Sequence, residues 1–244
     1  MTITATYAKN LTRRILAGSG AMTLVPYRID PTRQVPVVLH GVDAAGRIIV
    51  VCHSDDAQDL PDAEVRVDCV KKALELSTSI TVASLHGLGQ LTWLPAGEAV
   101  AGLGLDPAPH LRFGVVELEQ AHLHWPCGAT MVRIAELGTL SNEKVADSEW
   151  EIRDALDSLG STRLASLHTE VLTGLADGEV LNDREQTLCH QHRHNVWVGD
   201  VDEQGVMLIG SGTERISVTF VRFPERAASA EGIPAAVASL ARAQ

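Results

Sequence analysis

The chain opens on a helical pattern. In "TYAKNLTRRILAGSG" the apolar residues Tyr7, Leu11 and Ile15 recur at every fourth position, which stacks them on one helix face. Gly18 follows where a helix C-cap belongs. The period then drops to two. "AMTLVPYRI" reads as a strand. "QVPVVLHGVDAAGRIIVVCHS" reads as a hairpin, two β-branched runs joined by "DAAG" with its turn-forming Asp and Gly. "AEVRVDCVKKALEL", "SITVASLHGLGQLTWLP" and "LRFGVVELEQAHLHWP" add three long strands. Residues 20–126 therefore predict about six strands behind one helix, with turn signals at the spacing of a small barrel or sandwich. No helical pattern alternates with these strands, which excludes a parallel α/β sheet.

The pattern changes again near residue 135. "DSEWEIRDALDSLG" carries Ile152, Leu156 and Leu159 on one helical face, with Asp147 or Ser148 as the cap and Gly160 as the stop. "STRLASLHTEVLTGLADG" continues with Leu164, Leu167, Val171, Leu172 and Leu175 in helical period. "ADGEVLNDREQTL" then reads as a polar loop. Three strands follow, "NVWVGDV", "GVMLIG" and "RISVTFVRF", joined by "DEQG" and "GSGTE" as a meander of tight turns, and "GIPAAVASLARAQ" closes as a helix. The expected fold class is α+β in two domains: residues 1–140 form a β-barrel, and residues 141–244 form a smaller α+β domain of helices plus a three-stranded antiparallel meander.

Composition narrows the partners. The 244 residues are 45% hydrophobic and 21% charged, which suits a globular protein able to bury real cores. The formal net charge is −11 and no Lys/Arg cluster is present, so nucleic acid and anionic membrane are excluded as partners. Apolar runs such as "RIIVVC" are too short to span a bilayer, and "MTITATYAKNLTRRIL" lacks the plan of a secretory signal. The expectation is a cytoplasmic protein whose four separated cysteines, Cys52, Cys69, Cys127 and Cys189, are reduced thiols.

Histidines carry the candidate chemistry. "CHQHRHN" holds three of the ten. On a strand, His190, His192 and His194 share one face and can converge on a divalent metal or a haem. The same stretch also reads as the solvated entry to the meander. His168 joins the apolar stripe of its helix, as a group approaching a cofactor or as a core histidine satisfied by the backbone. His40 and His53 lie on the two arms of the "DAAG" hairpin, where they are expected to sit near each other and to line a barrel pocket or form a cross-strand polar pair. His122 and His124 alternate in "AHLHWPC", as a cofactor wall or as the polar face of an edge strand ended by Pro126, and His86 is open to the same two readings. "GLGQL" and "AGLGLD" lack the strand–loop–helix context of a phosphate loop. No GxSxG elbow suggests a serine hydrolase. The carboxylates of "SDDAQDLPDAE" read as a solvated acidic loop.

A helix followed by a barrel, and "VWVGDVDEQGVMLIGSGTERISVTFVRFPE" leading into "AAVASLAR", resemble the FMN-binding split-barrel (pyridoxamine-phosphate-oxidase-like) superfamily, in its haem-utilisation branch with a C-terminal domain. Asp202, Gly205 and "FVRFPE" carry the tail-domain pattern. The resemblance implies a split barrel, a homodimer and cofactor sites at the dimer interface. Members bind flavin, or bind and degrade haem, and a plant relative acts by binding glutamyl-tRNA reductase. In flavin-binding members Arg and Lys of the central strands hold the FMN phosphate. Here residues 73–111 contain neither, which leaves Arg66, Lys71 and Lys72. In place of the haem-degrading branch's His-x-Asn-x-x-His-like motif the helix carries only His168, followed by Thr169 and Glu170, and no histidine follows His194. Two functions follow. One is a haem- or FMN-binding protein, haem oxygenase-like or FMN-dependent oxidoreductase-like, with His168, His190, His192, His194, His40 and His53 as cofactor-binding residues. The alternative is a non-catalytic dimeric module that has lost the cofactor and acts on a protein partner through its acidic surface.

Overall fold

The computed structural model describes residues 3–74, 79–138, 140, 149–186 and 193–241. Contacts divide the chain into two compact units, Met1–Lys71 with Ala83–Glu143, and Lys72–Val82 with Lys144–Gln244.

The first unit begins with α1 (Ile3–Leu16), which ends just before Gly18 as its pattern predicts. Tyr7, Leu11 and Ile15 are fully buried, and the Tyr7 ring stacks on Trp125 at 5.6 Å. Eight strands follow: β1 (Ala21–Val25), β2 (Val35–Val37), β3 (Leu39–Val42), β4 (Ile48–His53), β5 (Ala63–Lys72), β6 (Thr81–Trp93), β7 (Leu111–Trp125) and β8 (Gly128–Arg133). Their order is β2-β1-β5-β6-β7-β4-β3, with β8 added beside the second half of β7. This is a nearly closed antiparallel barrel, as the strand pattern and the resemblance lead one to expect.

The closure comes from a single bent segment. β2 pairs with β1, β3 pairs with β4, and only Val38 separates β2 from β3. The Val38 amide donates to Val51 O at 2.8 Å, so hydrogen bonding passes across the bend. Pro36, which cannot donate, lies beside the bend, where a missing N–H costs least. Along β5 the two-residue period sorts the side chains: Ala63, Val65, Val67, Cys69 and Lys71 are buried, while Glu64, Arg66 and Lys72 are exposed. Burial pushes the Cys52 and Cys69 thiols up to about 12, which leaves them unreactive.

β8 was not anticipated from the sequence. In "GATMVR" only Val132 is buried, so the strand has almost no alternation to read and is held by its pairing with β7.

The second unit contains α2 (Glu149–Leu172), broken at Gly160, whose φ of 72° and ψ of 157° leave the helical region at the predicted stop. The candidate caps Asp147 and Ser148 lie outside the described residues. Then come β9 (Gly178–Glu185), β10 (Val196–Asp202), β11 (Gly205–Ser211), β12 (Arg215–Arg222) and α3 (Ile233–Ser239). The sheet order β10-β11-β12-β9 contains the expected meander and adds a fourth strand. β9 is a correction: "GEVLNDRE" buries only Leu181, so it reads as polar loop, yet its backbone pairs along β12 and Arg215 forms an ion pair with Asp183 across the edge. Ile152, Leu156, Leu167 and Val171 of α2 pack with Val198, Leu208, Val221, Ile233 and Val237 in this unit's core. Among the described residues, no helix is long and apolar enough to cross a membrane.

The β3–β4 turn depends on one carboxylate. Asp43 Oδ1 accepts from the Ala45 and Arg47 amides at 2.9 and 2.8 Å, and Oδ2 accepts from Arg47 Nε at 2.7 Å. Burial alone would raise the Asp43 pKa, but the bonds from Arg47 and Ala45 outweigh it and hold the group below its ordinary 3.8. A depressed carboxylate stabilises the fold above its unfolded value and loses that contribution as pH falls through the folded one. Asp43→Ala should therefore lower unfolding stability by about 2 kcal/mol at neutral pH. Urea unfolding checks this, and the deficit of Asp43→Asn should shrink when the titration is repeated near about pH 3.

Candidate functional site

The two-residue period that fills the barrel also builds its outer face. His86 on β6 lies opposite His122 on β7, and His122 lies opposite Met131 on β8. The next outward row runs Ser84, His124, Ala129. β5, the neighbour of β6 on the other side, contributes Asp68. A register shift between Gly87 and Gly89 leaves Leu88 59% exposed on this face, and Met131 is 52% exposed.

Asp68 and His86 form the central pair. His86 Nδ1 lies 2.7 Å from Asp68 Oδ1, and the ring meets that of His124 edge-on with centroids 5.5 Å apart. Arg66 Nε donates to the same carboxylate at 2.9–3.0 Å. Partial burial opposes the Asp68 charge, but the bonds from Arg66 and His86 prevail and keep its pKa low. An ionised carboxylate only accepts, so Nδ1 carries the proton. Among the described residues, nothing bonds His86 Nε2, whose lone pair is left to the half-exposed face. This is the carboxylate–imidazole arrangement that orients metal-ligating histidines. No group of three His, Cys, Asp or Glu side chains among the described residues could hold a metal ion.

The histidines singled out by sequence fall elsewhere. His40 is buried beneath α1, where its Nε2 donates to Ile15 O at 2.7 Å; burial lowers its pKa against the raising effect of that bond. It pairs across from Val50, whereas His53 lies opposite Leu111 of β7, so the hairpin does not bring the two together. The arms run on past the turn by unequal lengths, and the exposed His53 ring approaches His110 instead, at 6.3 Å. His194 is exposed, has φ of 59°, and its Nε2 lies 3.4 Å from Thr213 Oγ1. His190 and His192 lie outside the described residues. Of the bases considered for an FMN phosphate, Arg66 is paired with Asp68, Lys71 Nζ donates to Ser19 Oγ at 3.1 Å, and Lys72 Nζ donates to Thr81 Oγ1 at 3.0 Å.

His168 is buried in the second unit. Its Nδ1 bonds Thr219 Oγ1 at 2.8 Å and its Nε2 bonds Ser217 Oγ at 2.9 Å. The hydroxyls come from β12, in place of the backbone carbonyl one would expect for a core histidine. Gly210, opposite Ser217 on β11, makes room for the ring, because a Cβ there would collide with the imidazole.

The Asp68–His86 pair was missed in the sequence because it joins two strands across 18 positions and depends on register. The one available signal was the alternation of charged and apolar residues in "EVRVDCV", which places Asp68 outward.

Gly210→Ala should cost about 1–3 kcal/mol by overpacking against His168. Adding His168→Ala should remove most of that increment, a coupling read from a double-mutant cycle of urea midpoints. Desolvation lowers the His168 pKa below 6.5. Below that pH the unfolded chain takes up a proton that the folded one refuses, so stability falls as pH drops through about 6.5. Unfolding titrations across this range should show a shallower pH dependence in His168→Gln.

No family model matches the chain, and no curated protein does. Among solved structures it is similar to one described as a heme binding protein from Mycobacterium smegmatis, with 13% identity over 96% of each chain and a TM-score of 0.47. It is also similar to a protein of unknown function from Agrobacterium tumefaciens, with 16% identity over 97% of this chain and 96% of that one and a TM-score of 0.32. Neither score reaches the level that marks a shared fold.

Proposed function

We propose that this chain binds haem on the outer barrel face, where His86 would hold its iron. The observation that carries the reading is the Asp68–His86 pair, which fixes the imidazole tautomer and turns Nε2 outward. A bare divalent cation needs three or four protein donors, and no such group exists among the described residues. Haem brings four nitrogens of its own to the iron and asks the protein for only one or two more, of which His86 Nε2 would be one. Leu88 and Met131 offer apolar contact to the macrocycle. FMN fits less well, because its phosphate calls for cations and Arg66, Lys71 and Lys72 are already engaged. When bound, haem would supply ligand-binding or redox chemistry at iron. The chain's part is to hold the ring nitrogen in place through Asp68, with Arg66 keeping that carboxylate ionised.

The test is an absorption titration of the purified protein with haemin. A sharp Soret band is expected, abolished by His86→Ala, and retained in His53→Ala. Asp68→Asn should weaken binding roughly tenfold or more, as loss of a partner that orients a metal ligand does. A spectrum that merely sums protein and free haemin would overturn the proposal. A Soret band unaffected by His86→Ala would reject His86 as the ligand.

A further inference from the structure

The β7–β8 hairpin, "HLHWPCGATM", presents metal donors on its solvent side. Its inward residues fix it in place. Ala121, Leu123, Trp125 and Val132 are buried, and Trp125 Nε1 donates to Thr130 Oγ1 at 3.2 Å. By the two-residue period the outward residues are then His122 and His124 on β7 and Ala129 and Met131 on β8, all exposed. His122 stands directly opposite Met131, and His124 directly opposite Ala129. Residues paired in this way have Cβ atoms about 4.5–5.5 Å apart. An imidazole nitrogen and a thioether sulfur on such a pair can close on one ion, at metal bonds of roughly 2.0–2.3 Å. His124, two residues along the same face, is the next donor, and Ala129 across from it adds only a methyl group to the approach.

The character of these donors selects the ion. The two outward rows run His86, His122, Met131 and Ser84, His124, Ala129, and neither contains a carboxylate. The row beyond His122 pairs Gln120 with Arg133, a cation. Asp68, on the neighbouring β5, is held by Arg66 and His86. Hard divalent ions call for carboxylate oxygens, whereas thioether sulfur favours soft copper(I). No three His, Cys, Asp or Glu side chains among the described residues could hold a metal, so an ion on this hairpin must take methionine as a donor. A soft monovalent ion, satisfied by two or three donors, does so.

We infer that the hairpin binds copper(I), or its analogue silver(I), through the His122 imidazole and the Met131 thioether, with His124 as the third donor. The inference stands apart from the haem reading, because neither His86 nor Asp68 is a donor.

The probe is silver(I), which is stable in air. It is added to the full chain in a Cys127→Ser, Cys189→Ser background, so that these thiols do not take the ion; Cys52 and Cys69 are buried. The readout is the ε-methyl NMR resonance of Met131 in protein labelled at its methionine methyls, identified by its loss in Met131→Leu. One equivalent of silver(I) should shift this resonance, and zinc should not. His122→Ala should abolish the shift, and His86→Ala should leave it in place. Met131→Leu keeps the apolar bulk and should weaken silver(I) binding roughly tenfold or more in a competition titration. Copper(I), titrated without oxygen, should follow the same order. A Met131 resonance unmoved by silver(I), moved equally by zinc, or moved equally in His122→Ala would overturn the assignment.

Discussion

A twisted sheet must do something with its edges, because unpaired backbone groups there recruit other chains. In this barrel the bent segment of residues 35–42 answers that constraint. Its first part completes the ladder beside β1 and its last part the ladder beside β4. Val38, at the bend, bonds Val51 O and so carries the pairing across. With both edges joined, no strand can slip by one residue without turning its apolar set outward. The inside is then fixed by Val65, Val67, Leu85, Leu91 and Leu123, and α1 adds Tyr7, Leu11 and Ile15.

The candidate site inherits its geometry from that register. Asp68 and His86 meet because they stand on adjacent strands with the same outward parity. The irregularity between Gly87 and Gly89 ends the regular row just past His86, and both glycines lie where a Cβ would press on Leu118. The histidine face is thus a by-product of the packing inside, in the sense that each outward residue follows from its buried neighbours.

Much of the fold was legible from periodicity. Where one face is buried, as in α1, β5, β6 and β7, the apolar spacing names the element directly, and β10 to β12, buried on successive residues, show as short apolar runs between turn signals. β8 and β9 were illegible for a shared reason: "GATMVR" and "GEVLNDRE" each bury a single apolar side chain, and their structure resides in backbone pairing, which composition does not record. The site was less legible than the fold. Spacing along the chain drew attention to "CHQHRHN" and to the two arms of the hairpin. Register sent His40 inward beneath Ile15 O and His53 to a different neighbour. The apolar stripe that made His168 conspicuous did foretell its burial, but could not show that Ser217 and Thr219 stand over it.

Accounting for ring nitrogens sorts these candidates better than spacing does. An imidazole has two nitrogens, and a metal needs one of them unprotonated and accessible. His168 commits both, to Thr219 and Ser217, inside a core that Gly210 shapes around it. His40 commits Nε2 to a helix-end carbonyl and is sealed from solvent. Each of these histidines acts as a polar strut, and drawing either onto iron would leave hydroxyls or a carbonyl buried and unsatisfied. His86 differs in kind. It commits Nδ1 to a carboxylate that Arg66 keeps ionised, and its other nitrogen faces outward beside His124 and the exposed Leu88. Binding a ligand there breaks no internal bond of the protein. The cost of using each histidine, more than its place in a motif, is what points to the barrel face.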